Sequence, residues 1–422
     1  MTALALALGC FGAAAEEPTT WVALQKQIDD APYGETTTIK LSGNLTAQSA
    51  DNALYIPDGK TITLDLAGCT LSRGLTADSQ EPVVNGRVIN VKGGLIVEDS
   101  VGGGKITGGN NKGSGGGVWV NGGSLVLNGG SITGNTAGFG GGVYVADNGS
   151  LSMYRGSIAN NSAQEGGGVY IRSGSFKLLN DSTTQIITHN TATASGGGVY
   201  LYGGAMEMSD GEIIGNSSSD NGGGVFVSKN ATFTMKGGAI SGNSAENGGG
   251  VFSMGTFNMT GGTIGGINDA DCNTAKKNGG GVNASGGEFM MSDDAEIIGN
   301  TTLEMNAGGV LVGPEAMFTL KGGKISGNCS GNQGGGVLVY YGNSRFIMEG
   351  GEITGNTAQR QGGGVEVYLG STFMLSGNVN ISGNLVKSEE GESDSNVDLI
   401  ANLSGKPSLP LARNWIPLHV SV

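Results

Sequence analysis

Residues 140–165 read GGGVYVADNGSLSMYRGSIANNSAQE, and this stretch decides the fold. It carries three short apolar runs: Val143 and Val145, Leu151 and Met153, and Ile158 shortly before Asn161. Alternation at period two marks strands with one buried face. The glycine- and asparagine-rich joints between the runs supply turns. Three strands in roughly 27 residues leave too little chain for three hairpins and a separate core. They suit one turn of a three-sided coil.

The same unit recurs outward from this stretch. Ten copies begin on a Gly-Gly-Val step, with valines at 118, 143, 169, 199, 225, 251, 282, 310, 337 and 365. Their spacing runs from 25 to 31 residues and is longest between Val251 and Val282. A repeat that cannot bury its own apolar face is stabilised by stacking on its neighbours. Equivalent strands then run in parallel ~4.8 Å apart, and such crossovers are almost always right-handed. The expected fold is all-β, a right-handed three-sided parallel β-helix, with ten coils spanning roughly 50 Å.

Identical positions should form ladders. Phe176, Phe233, Phe257, Phe289, Phe318, Phe346 and Phe373 make one interior column, with Met or Leu two residues on. Ile132, Ile158, Ile213, Ile240, Ile297, Ile325, Ile353 and Ile381 make another. A third consists of Asn135, Asn161, Asn190, Asn216, Asn243, Asn273, Asn300, Asn328, Asn356 and Asn384. Asparagine tolerates left-handed turns and bonds nearby backbone, so these residues read as a structural ladder of stacked amides.

Composition agrees with an array. The 422 residues include 83 glycines without a three-residue period, which excludes collagen. A net charge of −14 with 22 scattered Lys and Arg argues against nucleic acid as a partner. No stretch after the N-terminal segment reaches the ~18 apolar residues that a transmembrane helix needs. Residues 1–15 resemble a secretory signal peptide, with an apolar run and Ala13-Ala14-Ala15 ahead of Glu16, although no basic segment precedes the run. Cys10 follows Leu8-Gly9 as a lipoprotein acceptor would, but Ala7 occupies the place of a larger aliphatic residue. Cys69, Cys272 and Cys329 lack CxxC spacing and read as free thiols, since the last two lie two coils apart.

The ends differ from the middle. Trp21, Leu24 and Ile28 share one face of a short helix that Thr20 caps and Pro32 follows. Residues 16–105 read as this cap plus early irregular coils, 106–387 as the regular β-helix, and 388–422 as a C-terminal cap and irregular tail. Within the last segment, residues 388–395 read as a polar, acidic loop.

Residues 353–365, ITGNTAQRQGGGV, resemble the paired FxxN and GGAI repeats of polymorphic outer-membrane proteins. They resemble still more the glycine-rich β-helix repeats of predicted bacterial surface adhesins, whose N-terminal cap residues 21–41 also resemble. The likeness covers residues 20–400 and departs from the first family in using Ile for Phe and GGGV for GGAI. It implies a pectin-lyase-like fold and a surface location. It implies little about function, because this fold carries both enzymes and adhesins.

Chemistry is sparse. Asp293-Asp294 is the one adjacent acidic pair inside the array and sits in a turn, where such pairs are usually solvated. His189 replaces a turn glycine, and Arg155, Arg172, Arg345 and Arg360 fall in different coils. No metal site, cofactor or catalytic set is expected. One exterior column is non-random: Trp119, Tyr144, Tyr170, Tyr200, Phe226 and Phe252, continuing as Asn283, Leu311, Leu338 and Glu366. Tyr202, Tyr340 and Tyr368 lie two residues further on. These six aromatics either stabilise neighbouring strands by stacking or form a platform for sugar rings or a protein. The expected function is a secreted or cell-surface adhesin-like monomer that binds glycan or a host or bacterial surface protein. The alternative is a polysaccharide lyase or glycoside hydrolase.

Overall fold

The chain enters through the helix Trp21–Asp30, whose first turn is capped by the Thr20 hydroxyl accepting from the Ala23 N–H at 3.1 Å. Trp21, Leu24 and Ile28 are buried along one face, and the Trp21 indole donates to the Asn52 carbonyl at 2.9 Å. The helix thus covers the open end of the core, where an unpaired strand edge would otherwise face solvent. Beyond it, the computed structural model is a parallel β-solenoid of about 12 turns. It describes residues 17–75, 85–179, 185–388 and 391–399. The signal-like residues 1–15, with Cys10, and the tail after 399 lie outside the described residues.

The register is the one the repeat implies. The ten valines pair in sequence from Val118 to Val365. Ile89 and Leu54 extend their column toward the helix, and Val397 extends it at the far end. In the phenylalanine column, rings from Phe233 to Phe373 stack at 4.6–4.9 Å between centroids. Met206 occupies the step between Phe176 and Phe233. Ile187 and Ile264 fill the two gaps in the isoleucine column.

From Asn110 onward each coil carries a fourth strand that the sequence reading does not include. It follows the asparagine, for example Thr136–Phe139 and Ser162–Glu165, and builds a separate 12-stranded sheet. Its inward positions are small: Ala137, Ala163, Ala192, Ala275, Ser330 and Ala358 are all buried. Small side chains let this wall lie close to the isoleucine wall. They also hide the strand from a search for large apolar residues.

The asparagines occupy the bend between these two walls and are almost fully buried. Each Oδ1 accepts from the side-chain Nδ2 of the asparagine one coil earlier, as Asn243 does from Asn216 at 3.0 Å. It also accepts the earlier residue's backbone N–H, 2.9 Å away in the same pair. The Asn243 Nδ2 then donates to Asn273 Oδ1 at 2.9 Å and to the Ile213 carbonyl at 2.8 Å. The residue before the asparagine is left-handed in most coils, by glycine at Gly215 (φ +66), by Asn160 (φ 54) and by His189 (φ 52). Cys272 is the exception: it follows the extra turn Asp269–Asp271 with φ −68. There Asn273 keeps its side-chain bond to Asn300 at 2.9 Å.

The glycine runs form another corner. A Cβ on Gly223 would lie 2.5 Å from the Ser244 carbonyl oxygen and 2.6 Å from that of Gly249, so only glycine fits. The C-terminal polar stretch is not a loop. Gly391–Asp394 pairs antiparallel with Leu385–Ser388 and ends the smaller sheet in a reversed strand. Antiparallel return needs only a short connection, which is how a polar stretch can pair here. Asn396 Oδ1 closes the ladder by accepting from Asn384 N at 3.2 Å and Nδ2 at 3.1 Å.

Asn243→Ala leaves two donors on Asn216, the Ile213 carbonyl and Asn273 Oδ1 short of a partner. At ~1–3 kcal/mol for each buried group left unsatisfied, unfolding free energy measured in urea should fall by at least ~3 kcal/mol. A loss below ~1 kcal/mol would contradict the role given to the ladder.

Candidate functional site

The exterior column sits on the strand that follows each glycine run, between two inward side chains. Trp119, Tyr144, Tyr170, Tyr200, Phe226 and Phe252 are register partners in unbroken order. From Tyr144 to Phe252 the rings stack at 4.5–5.4 Å and within 17° of parallel, while Trp119 meets Tyr144 edge-on at 6.5 Å. This is the separation at which aromatic pairs attract beyond the area they bury.

The six rings do not form an open stripe. Tyr144, Tyr170, Tyr200 and Phe226 are buried, and Trp119 and Phe252 are half-buried. Three things cover them. Each ring hides the faces of its neighbours, and the glycine corner folds close to the ring roots, with a Cβ on Gly166 only 3.0 Å from Tyr170 Cβ. The small-residue sheet then brings Phe139 edge-on to Tyr170 at 5.4 Å. Outward direction on a strand therefore does not mean exposure in a solenoid whose corners overhang.

Electrostatics follow from this cover. Burial raises the Tyr200 phenol to about 12, helped by the Glu165 carboxylate and Tyr202. Tyr170 is raised further, by burial first and Glu165 second. Glu165 itself is raised by burial. At the N-terminal end, the Arg87 guanidinium lies 4.2 Å over the Trp119 ring, a cation–π contact.

What remains accessible flanks the stack in two islands. Tyr202 is 55% exposed beside Tyr170, at 6.3 Å between centroids, with Phe139 also exposed. Further along, Tyr341 is 49% exposed against Tyr340 at 3.9 Å and Tyr368 at 5.7 Å. The Tyr340 and Tyr341 hydroxyls lie 2.6 Å apart, and the Tyr368 hydroxyl donates to Gln333 Oε1 at 2.5 Å. Tyr202 and Tyr340 hold the same column position five coils apart, about 24 Å at 4.8 Å per coil. Tyr341 and Phe139 escape the sequence reading because neither falls in a repeated column; the Tyr340-Tyr341 doublet is the one signal available for the first.

The remaining candidates stay apart. Asp293 and Asp294 are exposed in a turn, Asp293 with φ 53. His189 is exposed in another coil, its Nδ1 2.6 Å from the Thr188 hydroxyl. Among the described residues no three His, Cys, Asp or Glu converge as a metal site, and Cys69, Cys272 and Cys329 are free thiols. No described helix is long and apolar enough to cross a membrane. Comparison with protein families, curated proteins and solved structures yields no match to this chain.

Burial separates the two groups of rings by stability. Tyr170→Ala removes a buried ring from the middle of the stack and should cost ~3–5 kcal/mol, whereas Tyr202→Ser should stay within ~0.5 kcal/mol. Equal losses in denaturant titrations of the two variants would contradict the division.

Proposed function

We propose that this chain is a secreted or cell-surface, adhesin-like β-helix that binds glycan through the exterior face carrying the two tyrosine islands. The observation that carries this reading is the pair of ring clusters along the exterior column, exposed Tyr202 and Phe139 at one and exposed Tyr341 against half-buried Tyr340 and Tyr368 at the other. A tyrosine combines an apolar ring face with a polar tip. It therefore suits sugars, whose rings present C–H faces edged by hydroxyls. The ladder of coils beneath supports the reading by holding the islands at a fixed separation without ordering cost on binding. A protein partner with a matching surface is the competing ligand class, and the same assay addresses it.

The lyase or hydrolase alternative draws less support. A hydrolase of the usual kind needs two carboxyl groups flanking an accessible bond, while Asp293 and Asp294 share one exposed turn and His189 lies coils away.

Purified residues 16–422 applied to a glycan array should bind a defined subset of glycans. Tyr202→Ser combined with Tyr341→Ser should weaken that binding at least ~10-fold, about 1.4 kcal/mol, with folding unchanged. Binding unaffected by both substitutions, or release of unsaturated uronic acid from pectin or alginate, would overturn the proposal.

A further inference from the structure

The exterior column does not end in an apolar residue. After Leu311 and Leu338 come Glu366 and then Asp398 of the terminal strand Val397–Leu399, each the register partner of the one before. Glu366 is 0% exposed, and neither carboxylate oxygen has a hydrogen-bond partner. Leu338 lies beneath it, and a Cβ on Gly362 would be 2.4 Å from its own Cβ, so the glycine corner shuts it in. The Gly334 N–H offers little relief, since it already donates to the Gln361 carbonyl at 3.0 Å.

Asp398 is held differently. Its Oδ2 accepts from the Gly362 N–H at 2.7 Å and from the Ser395 hydroxyl at 3.0 Å. Of the titratable groups around Glu366, Asp398 of the terminal coil raises it, and Tyr368 beyond its own strand is raised in turn by Glu366. No described Lys, Arg or His forms an ion pair with it. No third acidic, His or Cys side chain joins the two carboxyls as a metal site among the described residues. The charge that a buried carboxylate requires is best supplied by a proton.

We propose that Glu366 and Asp398 form an acid-tightened clasp, which fastens the terminal coil to the stack when Glu366 carries a proton and loosens it when the proton leaves. Among the described residues that coil buries little apolar surface, since Val397 is half-buried and Leu399 is 49% exposed, and its other ties are polar, the Asn384–Asn396 rung and the backbone bonds of its strand. One uncompensated charge therefore weighs heavily. Burial first, and Asp398 second, raise the docked Glu366 carboxyl to about 7. With the coil released, the side chain returns toward the usual ~4.3 of glutamate. The docked state binds the proton more tightly, so docking is strongest below ~4.3, weakens as pH rises, and reaches its floor above about 7.

The test is amide hydrogen exchange of residues 391–399 in the full chain, from pH 4.5 to 8.5. Rates are corrected for intrinsic exchange and referenced to the interior strand Val225–Met235. Protection of the terminal coil should fall ~10-fold per pH unit up to about 7 and then level off. Glu366→Gln, which cannot ionise, should give a flat profile. So should Glu366→Leu, which restores the residue type of the two preceding coils. Asp398→Asn should move the break in the wild-type profile to lower pH. A flat wild-type profile, or a Glu366→Gln profile that tracks the wild type, would overturn the clasp.

Discussion

A buried asparagine amide has no water to turn to, so the coils before and after it must supply its partners. This requirement organises the molecule. Asn161, for example, gives its Nδ2 to Asn190 Oδ1 and to the Ile132 carbonyl, and its own Oδ1 takes two bonds from Asn135. Slipping one coil by a single residue would break all of these at once and turn every inward side chain outward. The ladder thus fixes register, while the valine, phenylalanine and isoleucine columns supply the apolar burial that drives stacking.

Length variation is absorbed where it leaves the ladder intact. The longest unit inserts the turn Asp269–Asp271 ahead of Asn273, outside the core; it loses the left-handed residue that normally precedes the asparagine, and Asn273 keeps its side-chain bond to Asn300. The ladder ends are closed by other means: Gly109 N–H donates to Asn135 Oδ1 at 2.9 Å, and Asn396 receives the last asparagine. A rod built this way presents exterior columns at a constant interval. The tyrosine islands inherit their separation from that interval and not from any contact between them.

Three of the four walls of the coil were legible in the sequence because their inward residues are large and recur at fixed offsets from the glycine run. The fourth was not, since Ala137, Ala163 and Ala192 look like turn residues when read alone, although Thr-Ala or Ser-Ala follows the asparagine in most copies. The identity and order of the exterior aromatics were legible too. Their burial was not, because it depends on Phe139 and the glycine corner crossing over them, and strand alternation carries no information about overhang. Glu366 could be placed in its column by counting, but its partner Asp398 lies past the polar hairpin, 32 residues on, where the repeat no longer guides alignment.

The central claim is the coil-to-coil register, and paired cysteines test it most directly. Thr234 and Asn258 are register partners on the outer surface of adjacent coils, and Met290 follows one coil later. Parallel neighbours lie ~4.8 Å apart, within the Cα separation that a disulfide bridges, whereas two coils span about 10 Å and exceed it. In a background lacking the native cysteines, Thr234→Cys with Asn258→Cys should oxidise to an intramolecular disulfide, and Thr234→Cys with Met290→Cys should not. A 234–290 bridge, or the absence of a 234–258 bridge in folded protein, would contradict the stacking from which every other conclusion follows.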